Sequence, residues 1–292
     1  MTLQVRGSAL FLLSVVACPL LGQEPAFNTA DAAQEPSIER QAIDRTLTNL
    51  KFYFPEERTK PLQWQLHIVL RWPNLVRATN DGATAIWTQD GRPRAVCCTW
   101  TDFNGILSLG PGLLSEKVIV AELDGETIWR PRSLGPSMTA FRAIPETTPV
   151  ATLNAQRLRE MRLLAKRFKA DLGDASDRET LRLLATPIYR YEIPTKRDGP
   201  PKEVETPDVL DGAIFAFAHG TDPETLLMIE ARRSAESYQW QYAAVKRTGG
   251  PIRLFLDGEL VASLAGTPMN DREADFTWWE HTQIMPTSGV MP

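Results

Sequence analysis

Apolar positions in this chain fall mostly in short runs separated by polar turns, a rhythm that predicts β-hairpins rather than long helices. Asp-Gly occurs six times, with the aspartate at 81, 90, 124, 198, 211 and 257. Three of these dipeptides lie between runs of strand character. Asp and Gly both tolerate the positive φ of a type I′ turn, whose twist matches paired strands. Around Asp90-Gly91, the segment Ala83 to Trp100 predicts a two-residue loop that sets Gln89 opposite Arg92, Trp87 opposite Arg94 and Ala85 opposite Val96. Pro93 then faces Thr88, and its missing donor marks the second strand as an edge there. Val118–Leu123 with Glu126–Trp129 and Ile252–Leu256 with Glu259–Leu264 predict two more such hairpins. A longer turn over Gly220 to Glu224 separates Ala213–His219 from Thr225–Arg232, and Gln239–Arg247 continues a C-terminal antiparallel meander of five or six strands.

Helical periodicity is confined to few places. Ser37 caps a short helix carrying Ile38, Ala42, Leu47 and Leu50, ended by Pro55 and Pro61. From Thr152 to Leu172, Leu153, Leu158, Met161, Leu164, Ala165, Phe168 and Leu172 mark one face of a long amphipathic helix stopped by Gly173. Its other face carries Arg157, Arg159, Arg162, Lys166, Arg167 and Lys169. Ser176 to Glu179 reads as a capping box for a further short helix before Pro187. The expected fold class is α+β: a mainly antiparallel sheet built from hairpins, with one long helix over about 152–172 packed on it. No period of 20 to 50 residues repeats. A single domain over 37–292 follows, with a sub-boundary open near 147–152 where prolines cluster.

The N-terminus changes the picture by adding a compartment. Arg6 and the apolar Ala9–Ala17 run, too short to span a bilayer, have the layout of an export signal over 1–22. A small, polar leader follows over 23–36. Two processing routes are open: cleavage after Gly22, or lipidation of Cys18 in Val15-Val16-Ala17-Cys18. Nothing after the signal reaches transmembrane-helix length. The expected location is periplasm, cell envelope or outside the cell, with or without a lipid anchor. Removing the signal leaves 31 basic against 36 acidic residues, a mild acidity that argues against nucleic-acid binding. Cys97 and Cys98, adjacent on a predicted strand, point to opposite faces and read as small apolar fillers.

Candidate chemistry is sparse. No nucleophile elbow, phosphate loop, dinucleotide fingerprint or zinc-binding pair stands in the chain, and the three histidines lie far apart. Neither a metal site nor a cofactor is expected. His219 with Asp222 or Asp102 is the best catalytic grouping, because a histidine beside a carboxylate can serve as a general base. Against it stands a plain turn in which Asp222 satisfies its own backbone. Eight tryptophans are many for this length. Trp87, Trp100, Tyr189 and Tyr191, with Arg190, form a candidate ligand-binding face for sugars, set against the alternative that they fill the core. Trp278-Trp279 is expected to fold back over the sheet.

Arg71-Trp72-Pro73-Asn74, Asp90 to Pro93, Gln156 to Arg162, Tyr189-Arg190-Tyr191 and Gly220 to Glu224 resemble segments of a family of exported bacterial proteins with no assigned activity. The likeness spans about residues 60–265 and implies export and one shared fold, but no site. The expectation is therefore an exported, non-catalytic protein that binds or scaffolds an envelope polymer or protein. An envelope hydrolase using His219 and an aromatic glycan-binding module are the alternatives.

Overall fold

The computed structural model describes residues 36–57, 64–74, 79–174, 176–193 and 208–284. Strands dominate, and nearly all pair antiparallel with a neighbour in sequence. Helix α1 (Ile38–Asn49) starts where Ser37 Oγ accepts from the Arg40 amide at 3.1 Å. It buries Ile43 and Leu47 and passes directly into β1 (Leu50–Tyr53). A four-strand meander follows: β2 (Gln65–Arg71), β3 (Thr79–Gln89), β4 (Arg92–Asp102) and β5 (Ile106–Leu113). The hairpin of β6 (Val120–Leu123) and β7 (Glu126–Trp129) then pairs with β1. After the short β8 (Arg142–Ala143) the same order begins again.

Helix α2 (Asn154–Ala165) leads into β9 (Phe168–Leu172), and β10 (Glu179–Thr180), β11 (Arg182–Leu183) and β12 (Tyr189–Arg190) are short. The long strands β13 (Val209–His219), β14 (Asp222–Ser234) and β15 (Ser237–Lys246) form the second meander. The hairpin of β16 (Ile252–Leu256) and β17 (Glu259–Leu264) pairs with β9 as β6 and β7 pair with β1. Last, β18 (Trp279–Gln283) borders β5 as β8 borders β15.

The chain thus runs through the same order of elements twice, and the match extends to irregularities. In the β3–β4 hairpin the register slips between Thr79 and Asp81 and again between Trp87 and Thr88. In β13–β14 it slips between Val209 and Asp211 and between Phe217 and Ala218, each 130 residues later. Asp81-Gly82-Ala83 and Asp211-Gly212-Ala213 therefore coincide. Gly82 packs under the Trp72 ring and Gly212 under the Tyr191 ring, and a Cβ would approach either ring to 2.6 Å. The Trp72 amide donates to the Gly82 carbonyl and the Tyr191 amide to the Gly212 carbonyl, both at 2.9 Å. The bulge between Ala121 and Glu122 in β6 recurs between Leu254 and Phe255 in β16.

Three apolar clusters explain how the repeats assemble. In each repeat, the helix and the small hairpin sheet cover one face of the meander: Ile43, Leu47, Phe52, Trp87 and Trp129 in the first, Met161, Phe168, Phe217, Trp240 and Leu254 in the second. The third cluster joins the two meanders through their other faces, with Ile86, Val96 and Leu114 against Ile214, Leu226, Met228 and Val245. Burial of each such side chain is worth about 1.5–3 kcal/mol. Reciprocal contacts complete the join: Glu192 donates its amide to the Gly91 carbonyl at 3.1 Å, while Thr221 Oγ1 donates to the Pro73 carbonyl. The polar residues at this join are not symmetric. Arg92 and Arg94 of the first repeat match Asp222 and Glu224 of the second. Arg92 pairs with fully buried Glu230 at 3.0 Å, and Tyr191 Oη donates to Glu230 at 2.8 Å.

Several expectations are corrected. The long helix over 152–172 is a 12-residue helix followed by a strand, because Phe168–Leu172 finds a full antiparallel partner in Ile252–Leu256. Arg157 is buried rather than solvated, and Leu153 and Leu163 are exposed. The first helix ends at Asn49, ahead of Pro55, because β1 pairs with β6. Ser176–Glu179 starts no helix; Glu179 and Thr180 extend the β9 sheet. Trp87 faces Ala95, not Arg94, and Ala85 faces Cys97, because Arg94 is the extra residue of the bulge beside Pro93. At Pro93 the strand pairs with β3 alone, as the missing donor implies, and β4 becomes interior only from Ala95 onward, paired with both β3 and β5. The turn after His219 is only Gly220-Thr221, with Asp222 already paired to His219. Trp279 begins an edge strand instead of capping a sheet. The three Asp-Gly turns at 90, 124 and 257 do take positive φ at both residues. The expected signal over 1–22 and the expected leader as far as residue 35 lie outside the described residues.

Candidate functional site

The second repeat bears a cleft of about 560 Å³. Its floor comes from Phe168 on β9, Leu181 beside β11 and Phe217 on β13, all buried within the second repeat's own core. Leu183 and Phe255 form half-buried walls. Local sequence places these groups: alternation along Phe168-Lys169-Ala170 turns Phe168 inward and leaves Lys169 exposed. Lys166, at the end of α2, reaches the same mouth, as does Gly258 in the Asp257-Gly258 turn.

Electrostatics at the mouth favour positive charge. Asp171 is buried and already held: Thr180 Oγ1 donates to it at 2.9 Å and Arg178 Nε lies 3.8 Å away. Lys166 and Lys169 form no ion pair with any carboxylate among the described residues.

Matching registers show what the first repeat puts in this place. Leu66 faces Trp87 as Leu183 faces Phe217, so Trp64 occupies the position of Leu181. Phe52 faces Ala121 as Ala170 faces Leu254, and Trp129 pairs with Ala121 as Ala262 pairs with Leu254. Trp64 lies nearly parallel to Phe52, with planes 7° apart and centroids at 6.2 Å, and Phe52 meets Trp87 at 4.6 Å. Four aromatic side chains in the first repeat thus become Leu181, Ala170, Phe217 and Ala262 in the second. The exchange is compensated in the same core, where Leu50, Leu107 and Leu109 of the first repeat become Phe168, Trp240 and Tyr242 of the second, with Phe168 and Tyr242 in contact at 4.8 Å.

The sequence-predicted residues are scattered. His219 stands near the far end of the cleft floor, but its partner is Glu179, with Nε2 to Oε1 at 2.8 Å. Its Nδ1 is shielded from solvent and makes no hydrogen bond. Asp222 sits across the turn from His219 on β14. Asp102 closes the β4–β5 turn, accepting from the amides of Asn104 at 2.9 Å and Ile106 at 2.8 Å. No common site joins the three. Trp87, Tyr189 and Tyr191 are buried, and half-buried Trp100 is flanked by Trp72 and Trp278 at 6.5 and 5.6 Å. They form no open sugar platform. Arg190 ion-pairs with Asp211 at 2.8 Å, which also takes Arg157 Nε at 2.8 Å. Cys97 and Cys98 are free and buried in different layers, and burial pushes the Cys97 thiol up to about 12. Cys18 lies outside the described residues.

Among the described residues no three His, Cys, Asp or Glu side chains gather as metal ligands, and no helix is long and apolar enough to cross a membrane. The cleft itself escaped sequence reasoning, although the repeated Asp-Gly-Ala at 81 and 211 was the signal that aligns the two copies. No family model, no curated protein and no solved structure matches this chain.

Proposed function

We propose that this chain is an exported, non-catalytic binding protein of the cell envelope, with its ligand site in the cleft of the second repeat. The carrying observation is the cleft of about 560 Å³ itself, with Phe168, Leu181 and Phe217 on its floor and Lys166 and Lys169 at its mouth. A cleft of this size, with an apolar floor and few polar groups, suits a small ligand. The export signal over 1–22 and the family resemblance support the location.

Chemistry at the cleft supports binding over hydrolysis. A general base must reach its substrate with a free nitrogen. The Nε2 of His219 is spent on Glu179, and its Nδ1 is covered. The Thr180 hydroxyl is likewise engaged, by Asp171.

The test is a thermal-shift screen of the mature chain against small apolar anions, with Leu183→Trp, which adds bulk to the half-buried cleft wall, as control. A ligand at a hundredfold excess over its Kd stabilises by about 2.7 kcal/mol, a rise of roughly 5–10 °C for a chain of this size. The expected outcome is such a rise in the wild type and none in the filled variant. A shift of equal size in both would remove the cleft from the reading.

A further inference from the structure

We infer that the outward side of α2 and of the β9–β16–β17 sheet, the layer covering the second meander, docks on an anionic lipid surface. It borders the ligand cleft and shares Lys166 and Lys169 with it, but Arg159, Arg162, Leu163 and Leu260 lie outside the cleft. Helical spacing sets Gln156, Arg159, Arg162, Leu163 and Lys166 on the side of α2 opposite buried Arg157, Met161 and Leu164, and all five are exposed. Arg159, Arg162 and Lys166 make no ion pair with a carboxylate among the described residues. Glu160, the acid of this helix, is half-buried and accepts from the Ala151 amide at 3.3 Å. Three cations thus share one face with Leu163, which is 54% exposed.

The sheet beside the helix continues this face. Lys169, Phe255 and Leu260 stand in register across β9, β16 and β17. Their chain neighbours Phe168, Ala170, Leu254 and Leu256 are buried, so the row points away from the core. At the same register positions the first repeat has Lys51, Glu122 and Thr127. An acid beside the lysine and a hydroxyl thus become a half-buried ring and a leucine 51% exposed. Contact with water alone gives no reason for that exchange, since it adds apolar area to the surface. Acids nearby are engaged or peripheral: Arg167 holds Asp257 at 2.6 Å, Thr180 donates to Asp171 at 2.9 Å, and Glu259 is exposed at the start of β17. Cations with apolar side chains among them fit a bilayer, which offers negative headgroups above an acyl boundary. An acidic polymer would engage the cations and leave Leu163, Phe255 and Leu260 in water.

Each cation near an anionic surface is worth about fivefold in binding, and salt screens the effect. The test is flotation of the mature chain, without acyl groups, on vesicles of phosphatidylcholine alone or with a third phosphatidylglycerol. The expected result is at least tenfold tighter binding to the anionic vesicles, weakening as salt rises from about 0.1 M to about 1 M. Arg159→Glu/Arg162→Glu should weaken that binding at least tenfold. Arg40→Glu/Arg45→Glu makes the same change in net charge at exposed positions of α1 and should leave it within twofold. Leu163→Ser/Leu260→Ser keeps every charge and should weaken it at least threefold; this pair carries the test should the arginine reversal unfold the chain. Equal affinity for both vesicle types, equal losses in the α1 and α2 variants, or no vesicle binding overturns the docking surface. Binding to soluble polyphosphate, with vesicle binding indifferent to the serine pair, assigns the face to an acidic polymer and overturns the lipid. None of these outcomes touches the cleft, which the Leu183→Trp contrast judges separately.

Discussion

Lys246 shows how a single residue reports its surroundings. It is 1% exposed, its ammonium donates to the Ala265 carbonyl and Thr267 Oγ1, and the Phe276 ring lies 5.9 Å away. Burial lowers its pKa to about 8, with Asp275 opposing. In the unfolded chain an ordinary lysine holds its proton to about 10.4. Between these values the unfolded chain binds a proton that the folded chain does not, so stability rises with pH across that window. Lys246→Met removes this dependence. Urea unfolding at pH 7, 9 and 10 should show the wild type gaining on the variant at each step; a constant gap would place the ammonium in water. No sequence pattern marks this lysine, because its burial depends on the 265–276 segment folding back over β15.

At the scale of elements, the passage from α2 into β9 carries two arginines of unlike weight. Arg157 of α2 is buried and holds Asp211 at 2.8 Å, and it also donates to the carbonyls of Ala151 and Thr152. Arg167, just past the helix, reaches exposed Asp257 at 2.6 Å. Arg157→Ala should cost about 3 kcal/mol in chemical denaturation, since it strands buried acceptors while Arg190 still neutralises Asp211. Arg167→Ala should leave the midpoint unchanged within error. Sequence reasoning gave both arginines to one solvated face, and the cause is instructive. Leu164, Phe168 and Leu172 recur every four residues, a spacing that satisfies a helix and also every second position of a strand. What decides is Ile252–Leu256, some eighty residues away, which pairs with this stretch. Local turn chemistry, by contrast, was legible: each Asp-Gly turn needs only its own two residues. The cleft was illegible because its lining comes from β9, β11, β13 and the turns beside them, residues far apart in sequence that only the fold brings together.

For the whole molecule, the join between repeats is the feature with the widest reach. Gly91 has φ +71°, and a Cβ there would lie 2.0 Å from the Glu192 carbonyl oxygen in the other repeat. Gly125 occupies the same kind of turn at φ +88° with nothing within 4 Å. Gly125→Ala should therefore cost only the left-handed backbone penalty, about 1–2 kcal/mol. Gly91→Ala should cost that and the displacement of a neighbouring backbone, about 3 kcal/mol or more, in the same denaturation experiment. Similar losses for both would mean that the repeats meet loosely at this corner. The inverted charges at that seam, Arg92 and Arg94 in one copy where the other has Asp222 and Glu224, carry a last consequence. Two first halves docked on each other would bring arginines to both ends with no Glu230 to receive them, and two second halves would crowd acids. Homotypic exchange between neighbouring molecules is penalised at both ends, so a newly made chain is driven to close upon itself.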